Sequence, residues 1–284
     1  MKNIILNKNF IFVLLISFLI FSCSNNKGKI IKPETVPPLD ILYKAAFKAY
    51  QQGKFSDSIK LFQKVEVRYS FSEWAEKSTM MIMYIYYDIG EYASALTYAK
   101  KFKDLYPSSK DLDYVDYIIA LTFYEQISFV SRDQTYSKVA LKEFKKILKK
   151  YPNSKYAEDS KFKIDLIYEQ LAGKEMYIAR YYMNKSKWIA AIKRLENVIK
   201  NYNTTIYAEE ALHRLVEVYY KLGNIKQSKK YAAILGYNFN DGKWYKRTYK
   251  IVKDKDYSIE QKKNKRRLRD KIKNLFKFSK WLKI

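Results

Sequence analysis

The sequence predicts an all-α fold, a tetratricopeptide-repeat solenoid of about five helix-turn-helix repeats, on three observations. First, a phrase opened by an aromatic residue and closed by a small one recurs: Tyr69–Ser72, Tyr106–Ser109, Tyr151–Ser154, Tyr202–Thr205 and Phe239–Gly242. Its spacings are 37, 45, 51 and 37 residues, so a base period of 37 carries insertions of 8 and 14. Second, fourteen residues before each phrase stand Phe55, Tyr92, Ser137, Trp188 and Ile225, and three residues after these stand Ser58, Ala95, Ala140, Ala191 and Ser228. The next position is apolar in four of five cases: Ile59, Leu96, Leu141 and Ile192. Third, Gly53, Gly90 and Gly223 precede Phe55, Tyr92 and Ile225 by two, where a helix should end in a left-handed turn, and Ser186 takes that place before Trp188. Fixed periods of this length mark stacked helical hairpins. Small residues let paired helices approach, and large aromatics fill the space beside them. Seven glycines and five prolines in 284 residues are too few for a turn-rich β protein.

The elements follow in order from the amino terminus. Lys2 and Lys8 precede an apolar run from Phe10 to Phe21, broken only by Ser17. Twelve residues fall short of the roughly 20 that span a bilayer, so the run reads as the core of a signal peptide, residues 1–22. Ile20-Phe21-Ser22-Cys23 resembles a bacterial lipobox, although Phe21 is bulkier than that pattern prefers. The resemblance implies cleavage before Cys23 and a lipid on it, an S-diacylglyceryl group and an N-palmitoyl chain. Two or more acyl chains hold a protein firmly, whereas one holds it marginally. An uncleaved anchor ending in a buried cysteine is the alternative. Ser24, rather than aspartate, follows the cysteine. By resemblance to enterobacterial sorting signals, this favours the outer membrane of a Gram-negative bacterium, with the chain facing the periplasm. Residues 23–38, with Pro33, Pro37 and Pro38, read as a tether.

Residues 39–250 hold the repeats. Most of the 28 tyrosines fall on apolar helical positions and belong to the core. Some must face the concave side of a solenoid, and Tyr43, Tyr50, Phe55, Tyr84 and Tyr87 are the candidates for a peptide groove. Catalytic chemistry finds little to work with. Cys23 and His213 are the only residues of their kinds, which excludes an intramolecular disulfide and a Cys-rich zinc site and argues against a histidine cluster. No catalytic residue, metal or cofactor is expected, apart from the lipid.

From Ile251 to Ile284 the chain carries 13 basic and 4 acidic residues. Leu268, Ile272, Leu275, Ser279 and Leu282 recur with helical spacing among them, predicting a basic amphipathic helix over 251–284. It could cap the last repeat, dock on an acidic partner or lie on a membrane. Nucleic acid would also suit the formal charge of +26, but an exported protein rarely meets it.

Two stretches carry a more specific resemblance. They are "SRDQTYSKVALKEFKKILKKYPNSKYAEDS", residues 131–160, and "LAGKEMYIARYYMNKSKWIAAIKRLENVIKNY", residues 171–202. With Leu222-Gly223, Leu235–Phe239 and Trp244-Tyr245 they resemble the BamD family of lipoproteins over roughly residues 38–250. Tyr69-Ser70 and Tyr202-Asn203 depart from the family's Tyr-Pro. The resemblance implies a scaffold of the β-barrel assembly complex, tethered to the outer membrane. It implies binding to the periplasmic POTRA domains of BamA through the carboxy-terminal repeats, association with other lipoproteins of that complex, and recognition of unfolded β-barrel clients through the amino-terminal repeats. Arg194, Lys200 and Glu209, where the fourth repeat meets the fifth, are candidates for the BamA interface. Arg132-Asp133-Gln134 reads as structural: Asp133 caps the helix that follows and Arg132 bridges the 8-residue insertion to a neighbouring repeat. Glu175 and Arg180, five apart, are poorly placed for each other and better placed for partners on other repeats. Two other functions stay open: a scaffold for cell-wall or division machinery, and a solenoid-borne cell-wall hydrolase.

Overall fold

The computed structural model describes residues 37–70 and 72–253. Cys23, its lipobox and the basic segment beyond Lys253 lie outside the described residues. Within them the chain is helical throughout, with no strand: α1 (Leu39–Gln51), α2 (Phe55–Arg68), α3 (Glu73–Asp88), α4 (Tyr92–Leu105), α5 (Leu112–Tyr124), α6 (Thr135–Lys150), α7 (Ala157–Asn184), α8 (Trp188–Asn201), α9 (Tyr207–Lys221), α10 (Ile225–Asn238) and α11 (Lys243–Lys253). The first ten form five antiparallel pairs, each packed on the next, and α11 packs on α9 and α10. No described helix is long and apolar enough to cross a membrane.

Each recurring residue has a physical task. Gly53, Gly90 and Gly223 turn the first helix of a pair into the second at φ of 72°, 78° and 79°, and Ser186 does so at 55°. Ser58, Ala95, Ala140, Ala191 and Ser228 are fully buried where paired helices cross. The two serines satisfy their hydroxyls across the crossing: Ser58 donates to the Ala46 carbonyl at 2.8 Å and Ser228 to Val216 at 3.1 Å. Tyr69, Tyr106, Tyr151, Tyr202 and Phe239 each end the second helix of a pair, at φ from −125° to −142°. In four of the five phrases the small residue's N–H then donates to the aromatic residue's carbonyl, closing the turn to the next pair.

The two insertions differ. The 8-residue insertion lengthens the loop between α5 and α6, where the buried Gln134 amide donates to the Arg132 carbonyl at 3.1 Å and accepts from the Ser137 hydroxyl at 3.0 Å. Asp133 stands one residue before the N-cap position, which Gln134 takes; its carboxylate accepts from the Thr135 N–H at 2.8 Å and so fixes the turn into α6 without capping the helix as expected. The bridge expected of Arg132 is made by other residues. Gln170 and Lys174 on α7 reach back to the Ser128 and Ser131 carbonyls at 2.6 and 2.7 Å, because α7 runs alongside the loop.

The 14-residue insertion lengthens a helix. With 28 residues, α7 is about 42 Å long. Ile164, Ile167 and Leu171 on its first half join a core with Val115, Ile118, Phe144 and Ile147. Ala172, Met176 and Ala179 on its second half join another with Leu195, Leu212, Leu215 and Leu235. At the changeover stands Gly173, where any Cβ would press on the Tyr207 ring at 3.1–3.3 Å, so α9 starts directly against the α7 backbone. A third core, of Ala46, Ile59, Phe62, Ile82 and Ile85, holds the first two pairs together.

Candidate functional site

Four of the five groove candidates come together. Tyr50 at the end of α1 lies 6.0 Å from Phe55 and 6.1 Å from Tyr84 on α3, and Tyr84 lies 6.4 Å from Tyr87. The Tyr50 hydroxyl donates to Asp88 at 3.2 Å. Tyr43 sits apart, edge-on to Phe62 and Trp74 at 5.2 and 4.7 Å, and fastens α1 to α2 and α3.

The belt extends beyond these candidates. Tyr114 on α5 and Tyr156, which precedes α7, lie 5.4 Å apart, and Tyr117 stacks on Tyr156 at 4.7 Å. Tyr117 donates to Asp159 at 2.6 Å. The i, i+3 pair Tyr114–Tyr117 repeats the Tyr84–Tyr87 spacing, a signal the sequence reading passed over. Burial pushes the Tyr114 phenol up, and nearby Tyr156, Tyr84, Tyr87 and Tyr50 add to it. Burial, with Glu125 nearby, pushes Tyr87 up to about 12. These phenols therefore stay neutral at physiological pH and offer O–H donors and aromatic faces. Lys163 rests over the Tyr124 ring at 4.4 Å, placing positive charge at one end. Such a surface can hold an extended segment with aromatic side chains and a carboxylate. Among the described residues no group of three or more His, Asp or Glu side chains is placed to hold a metal.

The second candidate region is the junction of the last two pairs. Arg194 on α8 reaches Glu175 on α7 at 3.2 Å, so that pair lies within the fourth repeat, and Glu175 finds its partner there and not on another repeat as expected. Lys200 is exposed in the last turn of α8. Glu209 turns inward, accepting from the Trp244 and Tyr245 N–H groups at 3.1 and 3.4 Å. A carboxylate at a helix start satisfies N–H groups that have no partner within the helix, so Glu209 caps α11. A Cβ at Gly242 would run into that carboxylate.

Glu210 is the hub the sequence reading did not find. Arg180 on α7 grips it with two hydrogen bonds, at 3.1 and 2.5 Å, and Arg214 reaches it at 3.4 Å. This is the cross-repeat partner expected for Arg180. Arg214 also binds Glu217 at 2.7 Å, and His213 lies 3.4 Å from the same carboxylate. Burial alone would raise Glu217, but the His213 and Arg214 hydrogen bonds outweigh it and hold the carboxyl at about 2. The other His213 ring nitrogen shares a 2.7 Å hydrogen bond with the buried Thr248 hydroxyl, and Trp244 packs on the ring at 4.9 Å. The lone histidine pins α11 to α9. A connected set of ion pairs and hydrogen bonds thus runs from α7 through α9 to Thr248 on α11.

Comparison with known proteins places the chain. The YfiO family model, an outer membrane lipoprotein family, matches residues 38–235. The chain is 37% identical over 230 residues to the outer membrane protein assembly factor BamD of Caulobacter vibrioides, covering 80% of this chain and 75% of that protein. It is 36% identical over 242 residues to BamD of Rickettsia prowazekii, covering 85% and 95%. For BamD of Vibrio cholerae the figures are 32% over 217 residues, 72% and 88%. The matched region runs from the residue before α1 into α10, so it takes in the tyrosine belt and the Arg180–Glu210 hub. On this similarity the chain belongs to the BamD family of outer membrane lipoproteins.

Proposed function

We propose that the chain is a scaffold of the outer-membrane protein assembly complex, with no bond chemistry of its own. The observation that carries this reading, beside family membership, is the run of neutral tyrosines across the first three repeats. It offers aromatic faces and donors to the extended, aromatic-ended segment of an unfolded barrel protein. The last two repeats, stiffened by the Arg180–Glu210 hub, are the platform for BamA, with exposed Lys200 at its rim. Other lipoproteins of the complex complete the assembly. Cys23 carries the diacylglyceryl and palmitoyl chains and anchors the chain to the periplasmic face of the outer membrane.

The test has two arms. The chain from Ser24 onward, immobilised, is offered purified BamA periplasmic domains from the same source. Saturable binding is expected, weakened by Lys200→Glu. A peptide ending in the aromatic carboxy-terminal strand of a barrel protein is offered in parallel. Losing Tyr84 and Tyr114 together, each to alanine, should weaken it about tenfold, on the scale of interface aromatics. A folded helical chain that captures neither probe refutes the reading. Mass spectrometry of the membrane-extracted protein checks the acylation of Cys23.

A further inference from the structure

The charge of this chain is not spread evenly. Residues 37–220 carry 29 basic and 23 acidic side chains, whereas residues 221–253 carry nine basic and one acidic, Asp241. On α10, Lys226, Lys229, Lys230, Ala233 and Tyr237 share one exposed face by the helical period. On α11, Lys243, Lys246, Arg247, Lys250 and Lys253 form an exposed stripe on the side opposite buried Thr248. Neither helix contains an acidic residue. None of the nine cations is in an ion pair among the described residues.

We propose that these exposed faces of α10 and α11 dock on an anionic phospholipid surface. The kind of cation favours lipid over an acidic protein. Eight of the nine are lysines. Protein interfaces are depleted in lysine and enriched in arginine, whose planar fork matches a carboxylate, whereas lysine is a mobile point charge suited to a diffuse field of phosphates. The one arginine, Arg247, lies over the Trp244 ring at 4.8 Å, as Lys243 does at 5.3 Å, and Lys253 lies over Tyr249 at 4.5 Å. Beside the lysines stand Tyr237, 89% exposed, and Tyr249, 46%. Tyrosines settle at headgroup level, with the ring against acyl chains and the hydroxyl in water. The inference does not depend on what the repeats bind.

The test is co-sedimentation of the lipid-free chain from Ser24 onward with vesicles. Vesicles containing phosphatidylglycerol are compared with phosphatidylcholine alone. Binding to the anionic vesicles only, released by salt, is expected. Each basic residue at such a surface contributes roughly fivefold in partitioning. Two triple variants, Lys226, Lys229 and Lys230→Gln and Lys243, Lys246 and Lys250→Gln, should therefore each bind on the order of 100-fold more weakly. Circular dichroism verifies that they fold. A third variant, with the lysines and arginines of residues 262–283 changed to glutamine, should still bind. Unchanged binding by both face variants, complete loss in the third, or equal binding to phosphatidylcholine overturns the proposal. So does capture of polyglutamate that persists at a salt concentration releasing the vesicles, since that assigns these faces to an acidic protein.

Discussion

Replacing Glu210 with alanine should destabilise the joint between α7 and the fifth repeat by about 2 kcal/mol. Its side chain is 12% exposed and that of Arg180 is 44% exposed. Glu210 accepts two hydrogen bonds from Arg180 and a longer one from Arg214. Breaking a fully buried pair costs about 3–5 kcal/mol, because a charge is stranded without solvent. Breaking an exposed pair costs less than about 1 kcal/mol. Arg180 regains water when Glu210 is lost, and that places the cost between these limits. Urea unfolding followed by helix signal measures it. Arg180→Ala and the double variant complete a cycle whose coupling should reach about 1 kcal/mol or more. Amide exchange should show the loosening in α9 and α11 first, because neighbouring repeats need not unfold together. Additive single effects, or an unchanged midpoint in Glu210→Ala, would refute the hub.

Other outcomes follow from the same structure. Ser186→Gly should stabilise by up to about 1 kcal/mol by relieving a positive φ, and Gly223→Ala should destabilise by a similar amount, both read by thermal unfolding. Gly242→Ala should push the Glu209 carboxylate off the Trp244 and Tyr245 N–H groups and speed amide exchange in α11, leaving α1–α4 unchanged. The Glu217 carboxyl is held at about 2, below its ordinary 4.5. A depressed folded-state value stabilises above the unfolded pKa and is lost as pH falls through the folded one. The stability gap between the native chain and Glu217→Gln should therefore be full above about pH 4.5 and close toward pH 2, as acid titration of the unfolding midpoint will show.

What the sequence made legible was whatever repeats. The offsets located the helix crossings and the helix-ending aromatics, and identified Ser186 as standing in a glycine's place. These positions do the same job five times, and repetition separates them from chance. The period also sized the two insertions but not their form, since a longer loop and a longer helix add the same count. The junction was not legible because each part of it occurs once. Glu209 and Glu210 are adjacent, yet one caps α11 and the other grips Arg180, a difference set by which way successive side chains leave α9. Residues sharing a helix face could be found from spacing, as the overlooked Tyr114–Tyr117 pair shows. Partners brought together by stacking of different pairs, such as His213 and Thr248, could not.

The continuity of α7 has a mechanical consequence. A chain of short helical hairpins can flex at every turn, and the breaks between pairs are its natural joints. Here one unbroken rod of 28 residues belongs to two cores at once. Bending the chain at that point would mean opening main-chain hydrogen bonds in mid-helix, not merely swinging a loop. The tyrosine-bearing half and the charged half are thus mounted on a common strut. A load applied at one end reaches the other as a tilt of the whole bar, with little lost to slack in between.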